Sequence, residues 1–284
     1  MASFNNAPLS MSASIWLDRA SNRVSKSLER LASGQRINRA SDDAAGLAIA
    51  SRLEADQRIA GIAMRNISDG ISYLSTAGSS LEEISSILAR MSELASQSAS
   101  GVYTVAQRTA LAAEFVALGS EIERIAAATE FNSVKLLSNS ASISVQAGIR
   151  GDANSSVFLQ SVLGTLQSMS LGNATGALTY SIMGTTVAYS QSAAQAALNA
   201  VNTAIDTVAS ARGVLGASES RLSFALNNLS SARENYTLAA SQIRDVDVAA
   251  ETAELTRNSI IQQSATAMAA QANLSAQIIL RLLG

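Results

Sequence analysis

The stretch LEADQRIAGIAMRNISDGISYLSTAGSSLEEISSILARMSELA, residues 53–95, places Leu53, Ala60, Ile67, Leu74, Leu81, Leu88 and Ala95 at unbroken intervals of seven. Ala63, Ala77, Ile84 and Met91 occupy the positions three further on. Apolar residues at alternating spacings of three and four fall on one stripe of a helix, and a strict seven-residue repeat keeps that stripe against a partner helix. The pattern predicts one helix from about Ala44 to about Ser98. At about 1.5 Å per residue it is roughly 80 Å long, far more than a globular core needs, so a rod is expected.

Gly101 is a natural turn after this helix. Beyond it Leu111, Leu118 and Ile125 alternate with Phe115 and Ile122, predicting a shorter helix that returns along the first. Toward the other end Leu215, Leu222, Leu229, Tyr236 and Ile243 recur every seven residues, with Ala225, Ala232, Ala239 and Val246 on the offset positions. Large residues facing small ones suit a third long helix completing a bundle, in which each buried Leu contributes about 1.5–3 kcal/mol. Ile143, Val145 and Ala147, then Val157 and Leu159, alternate with polar residues around Arg150-Gly151-Asp152 and predict a small β-hairpin. From Gly164 to Ser192 the composition shifts to Gly, Ser and Thr, which marks a connector or small surface excursion.

Both ends carry helical apolar faces: Leu17, Val24, Leu28 and Leu31 near the start, and Ile260, Ile261, Met268, Ile279, Leu282 and Leu283 near the finish. Isolated helices of this kind are marginal in water, so they are expected to be poorly ordered alone and to find partners in an assembly. The fold class is mainly α, an elongated coiled-coil helical bundle with a small β-hairpin. Composition agrees: aromatics make up only 4% of the chain and Pro8 is the one proline, so close-packed long helices are favoured over sandwiches and barrels.

The chain has no cysteine and no histidine. Thiolate nucleophiles, imidazole acid/base pairs, disulfides and most transition-metal ligand sets are therefore absent. No P-loop, GxGxxG, GxSxG or HExxH pattern occurs, so no enzyme, cofactor or metal is expected. A formal net charge of −2 gives no global attraction to nucleic acid, and no window is long and apolar enough to insert in a membrane. Residues 1–14 lack both a basic region and a continuous apolar run, so they are not a secretory signal peptide.

The segment SGQRINRASDDAAGL, residues 33–47, joins the first terminal helix to the long one. Ser41 or Asp42 is placed to cap the next helix, and Asp43 favours its positive end. Arg36 and Arg39 are candidates for pairing with acidic groups of a neighbouring copy; with Asn38, Asp42 and Asp43 they form a candidate linker and subunit interface. As a metal or acid/base pair Asp42-Asp43 is disfavoured, since adjacent helical residues do not face each other. Arg150-Gly151-Asp152 matches an integrin-type tripeptide, though a hairpin turn accounts for it.

The chain resembles the bacterial flagellins. The resemblance rests on Leu31-Ala-Ser-Gly-Gln-Arg-Ile-Asn38, Asp42-Asp-Ala-Ala-Gly-Leu-Ala-Ile49, Arg65-Asn66 with Asp69-Gly70-Ile71-Ser72, and Thr129-Glu-Phe-Asn132 with Lys135-Leu-Leu137. It continues through Leu215-Gly-Ala217, Arg221-Leu222, Ile243-Arg-Asp-Val-Asp247, Gln262-Gln263, Gln271-Ala-Asn273 and Leu282-Leu283. The resemblance implies terminal helices paired in the inner tube of a filament, a helical rod and small hairpin outside them, and outer domains that are missing or rudimentary. The implied segments are 1–43 inner-tube helix and linker, 44–137 rod helices, 138–163 hairpin region, 164–192 connector, 193–247 C-terminal rod helix and 248–284 C-terminal inner-tube helix.

It further implies a self-assembling subunit of an extracellular motility filament, exported by a type III apparatus with a chaperone and meeting hook-associated and cap proteins. A hook-filament junction protein shares this terminal architecture, and a surface adhesin on the same scaffold is a third reading. Some flagellins are sensed by an innate immune receptor through an Arg-x-x-x-Leu pattern and a following Glu. Arg90, Leu94 and Glu114 match it and form a candidate receptor contact, with Ser92 where a second Arg is usual. Gly213 stands where the family commonly has Ala, marking a bend or a helix start.

Overall fold

The computed structural model describes residues 7–184 and 186–283; side chains are described for 11–184, 186, 188–272 and 274. Five helices account for most of this: α1 (Ala7–Ser33), α2 (Ala44–Ala99), α3 (Val105–Ala128), α4 (Val187–Arg244) and α5 (Val248–Leu283). Four short strands make two antiparallel hairpins, β1 (Glu130–Phe131) with β2 (Val134–Lys135) and β3 (Ile143–Gln146) with β4 (Ser156–Leu159). The chain divides into two compact units, the described parts of Met1–Arg58 with Arg233–Gly284, and Ile59–Ala232.

In the unit formed by residues 59–232 the seven-residue repeat of α2 becomes the core. Ala60, Ile67, Leu74, Leu81, Leu88 and Ala95 are all buried, as are Ala63, Ala77, Ile84 and Met91 on the offset positions. Phe115 and Ile122 of α3 and Val201, Val208, Leu215, Leu222 and Leu229 of α4 pack into the same cluster. On another ridge of α2 the hydroxyls of Ser68, Ser72, Thr76 and Ser80 each donate to the carbonyl four residues earlier.

The α2–α3 corner lies at Gly101 as expected, and Thr104 caps α3 in a reciprocal box with Gln107. Arg108 closes the corner from inside. Wholly buried, it donates from Nη1 to the carbonyl of Ser98, from Nη2 to that of Ser100 at 2.8 Å and from Nε to that of Tyr103 at 3.2 Å. These carbonyls crowd the negative end of the α2 dipole, so a cation without a carboxylate partner is stabilised there.

The predicted hairpin forms in register, with Val145 opposite Val157 and Ile143 opposite Leu159. The β1–β2 hairpin was not anticipated. Asn132 and Ser133 both adopt positive φ, 51° and 64°, as a two-residue type I′ turn requires. Ser at the second position conceals the Asn-Gly signal that marks such turns.

The stretch from Gly164 to Ser192, expected as a connector or small surface excursion, connects β4 to α4 and is packed into the unit. Leu166, Met169, Leu171 and Ile182 are buried in the core of the unit, and Ser98 Oγ donates to the Ile182 carbonyl at 2.7 Å. Its scattered apolar residues are anchors, which a window dominated by Gly, Ser and Thr obscures. Helix α4 begins at Val187, and Gly213 lies inside it, at neither a start nor an end. Val246 lies beyond the end of α4 and donates its N–H to the carbonyl of Gly34 at 3.0 Å.

Candidate functional site

In the other unit α1 and α5 pack along one another. Arg30 in the last turn of α1 reaches Glu251 in the first turn of α5, 3.5 Å away, so the pair is antiparallel. The seam is unusual in content. Leu17, Val24 and Leu31 turn half-buried toward it at intervals of seven, but Ala20 and Ser27 fill the fully buried positions. From α5 come buried Asn258 and half-buried Leu255, Gln262, Ala265 and Ala269. Small and polar residues thus occupy much of the inside.

Other large apolar side chains stay outside. Leu28, Ile260, Ile261 and Met268 are exposed, and Met11, Ile15, Trp16 and Leu274 join them. Trp16, the one tryptophan, is 58% exposed, with the Arg19 guanidinium 5.3 Å from its ring centroid. Ile279, Leu282 and Leu283 of the expected assembly face lie outside the described side chains. Large apolar side chains left uncovered on a helix pair are candidates for burial in an assembly.

The linker that ends α1 is built residue by residue. Gly34, at φ +70°, breaks the helix, and Gln35 bridges antiparallel to Asp245. The N–H of Arg36 donates to the carbonyl of Arg244 at 2.6 Å, and its Nη2 donates to that of Ile243 at 2.8 Å. Asn38 Nδ2 donates to Ser33 Oγ at 2.7 Å and to the Glu29 carbonyl at 3.3 Å. Arg39 pairs with Glu29 at 2.8 Å. Both arginines expected to reach a neighbouring copy therefore have partners in their own chain, which these sequence-near and strand-like contacts supply first.

The two aspartates divide the work differently from the expectation. Asp43, rather than Ser41 or Asp42, caps α2, its Oδ1 accepting from the Gly46 N–H at 2.9 Å. A Cβ at Gly46 would lie 2.4 Å from Asp43 Oδ2 and 2.9 Å from the Ile37 methyl, so only glycine permits this cap beside the buried Ile37. Asp42 turns back, accepting from the N–H groups of Asn38 and Arg39 at 3.3 and 3.2 Å, and pairs with Lys26 at 2.7 Å. The Lys26 ammonium first, then the Arg39 N–H, hold its carboxyl down at about 2 against desolvation.

Sequence reasoning missed three further fasteners. Arg30–Glu251 ties α1 to α5, Arg244–Glu54 ties α4 to α2 at 2.6 Å, and Asp247 Oδ1 caps α5 by accepting from Ala249 and Ala250. The cap was readable as an Asp just before a helical pattern. The ion pairs join residues about two hundred positions apart, for which one sequence carries no signal.

The candidate receptor residues separate. Arg90 is held between Glu93 and Glu114, each at 2.9 Å, and those carboxylates, Glu93 foremost, raise its pKa. The Arg90–Glu114 pair is at the surface and bridges α2 to α3. Leu94, 0% exposed, belongs to the core and does not share that surface. A spacing of four turns a helix about 40° past a full circle, enough to carry Leu94 into the seam.

Long helices without a catalytic or metal-binding cluster among the described residues, and terminal helices that leave several large apolar side chains uncovered, fit a structural subunit. Among the described residues no helix is long and apolar enough to cross a membrane. The profile of the bacterial flagellin N-terminal helical region matches residues 4–142, and that of the C-terminal helical region matches residues 198–283. A flagellin of Halalkalibacterium halodurans is 40% identical over 263 residues, 92% of each chain. One of Bacillus subtilis is 38% identical over 280 residues, 91% of this chain and 92% of the relative. A solved structure described as a flagellar hook-associated protein of Vibrio parahaemolyticus shares the fold, with TM-score 0.58 and 18% identity over 72% of this chain and all of that one. The chain belongs to the bacterial flagellin family. It is a structural subunit of the flagellar filament and serves motility, in a family that is structural rather than enzymatic.

Proposed function

We propose that this flagellin polymerises by burying the outer apolar stripe of α1 and α5, Leu28, Ile260, Ile261 and Met268, between copies. The observation that supports this is the inverted seam: Ala20, Ser27 and Asn258 are inside while Met268 and Trp16 are in solvent. Burying each large apolar side chain contributes about 1.5–3 kcal/mol, enough for a handful per subunit to drive association. The linker of Asn38, Asp42 and Asp43, fastened within its own chain, holds the ends in a fixed conformation for packing. Arg36 and Arg39 are exposed on this linker, and in this reading acidic groups of a neighbouring copy are further partners for them.

In this reading the filament is extracellular and reached through a type III export apparatus and chaperone, and its ends meet hook-associated and cap proteins. The fold shared with a hook-associated structure supports compatible ends between such proteins. The test is seeded polymerisation of the full chain beside a chain lacking residues 260–284, followed by electron microscopy. Long filaments from the full chain alone are expected; filaments of equal length from both would overturn the burial mechanism. For an innate immune receptor, the exposed Arg90–Glu114 pair is the contact that stays available, with Leu94 supporting it from beneath. A receptor reporter responding equally to the parent and to Arg90→Ala would remove that assignment.

A further inference from the structure

In the unit formed by residues 59–232 a cleft of about 380 Å³ opens between the two hairpins over α2. Gly70, Tyr73, Phe131, Val134, Val145 and Leu159 line it, with exposed Asp69 at its edge. Its aromatic corner is ordered by the edge-on contact of Tyr73 with Phe131, ring centroids 6.2 Å apart, and burial pushes the Tyr73 phenol pKa up. The same unit carries an unexplained knob. Phe224 on α4 is 75% exposed, the most exposed aromatic among the described residues, and Arg221 lies one turn before it, also exposed. Neither Asp69 nor Arg221 has a side-chain partner among the described residues.

We propose that Phe224 of one copy inserts into this cleft on a second copy, bringing Arg221 beside Asp69. Phe224 does not reach the cleft of its own chain. Leu222 faces α2, its Cδ1 3.2 Å from where a Cβ on Gly70 would sit, and two residues further on is about 200° around the helix. Knob and cleft therefore lie on different faces of one unit, and a contact between different faces repeats from copy to copy instead of closing as a pair. The match is chemical as well as steric: an aromatic with a cation one turn away meets an apolar, partly aromatic cleft with a carboxylate at its edge. This inference rests on the self-assembly reading and adds a contact separate from the terminal helices.

The chain has no cysteine, so single introduced thiols report cleanly. Phe224→Cys and Val134→Cys copies, mixed, seeded and mildly oxidised, are expected to give dimers joining one of each in filaments and not in monomer solution. Phe224→Ser is expected to raise the critical monomer concentration about tenfold or more, from the loss of one buried aromatic. Asp69→Arg and Arg221→Asp each raise it as well, and the chain carrying both returns toward the parent. Parent-like filaments without mixed dimers, and Phe224→Ser polymerising at the parent concentration, would overturn the contact while leaving self-assembly intact. Should the cysteine copies fail to polymerise, the serine and charge-exchange variants decide alone. A parent chain that forms no filaments would sink the contact together with the self-assembly reading.

Discussion

Arg108 of α3 donates through its guanidinium to the main-chain carbonyl of Ser98 in the last turn of α2, and the arginine is completely buried in doing so. Three carbonyls of one helix end and its following turn converge on that single side chain. Arg108→Ala leaves them without a donor and opens a cavity, so a loss of about 3–4 kcal/mol is expected in denaturant unfolding. Arg108→Lys, lacking the planar fork, is expected to recover less than half of it. A chain unaffected by either change would mean that water serves the corner equally well.

Acid loosens the linker through Asp42. The folded carboxyl of Asp42 has a pKa of about 2, below its ordinary 3.8. Its stabilising contribution is therefore complete above the ordinary value and is lost as pH falls from about 4 toward 2. The parent should lose roughly 1–2 kcal/mol more than Asp42→Asn across that interval, with screening at the half-exposed Lys26 setting the lower figure. Unfolding curves collected at successive pH values measure it, and parallel curves for the two chains would count against the pairing.

Met268→Glu places a charge on the outer stripe without touching the α1–α5 seam. Folded stability is expected to change by no more than about 0.5 kcal/mol, as for most surface substitutions. Filament formation from seeds is expected to fail or to need several-fold more protein. Circular dichroism with sedimentation separates the two effects.

Two glycines in long helices should respond oppositely to alanine. At Gly213 a Cβ meets nothing, and Gly213→Ala is expected to stabilise by about 0.5–1 kcal/mol. At Gly119 it would lie 2.4 Å from Leu178 Cδ1 and 2.7 Å from Cγ, so Gly119→Ala must displace Leu178 and is expected to cost about 1–3 kcal/mol. Thermal unfolding of both variants checks the pair.

Ser133→Gly relieves a serine held at φ 64° and produces the favoured Asn-Gly turn between β1 and β2. A gain of about 0.5–1 kcal/mol is expected by chemical denaturation. A loss would show that the serine side chain stabilises the turn by more than its backbone strain costs.

Periodicity was legible wherever it was long. The repeat from Leu53 to Ala95 specified α2 to within a residue at its end, and alternation on either side of Arg150-Gly151-Asp152 indicated the β3–β4 hairpin, because each pattern repeats a single burial rule. Short features depend on chemistry that one residue can hide. Asn132-Ser133 makes a turn without the usual glycine, Asp43 caps where Asp42 is equally placed in sequence, and four scattered residues, Leu166, Met169, Leu171 and Ile182, anchor a polar connector. Leu94 shows the limit of motif transfer: its spacing from Arg90 was legible, while its burial depended on which way the α2 seam turned. The outer stripe was readable as apolar, but its placement outside became visible only with Ala20, Ser27 and Asn258 inside.

The hydroxyl ridge of α2 has a mechanical meaning. At Ser68, Ser72, Thr76 and Ser80 a side chain shares the carbonyl that the helix ladder already uses, and each sharing tilts that carbonyl slightly and weakens resistance to bending. With no proline in α2, that compliance is spread over four successive turns instead of gathered at a hinge. Any curve such a helix takes is shared among its turns, a little at each, instead of being taken at one corner.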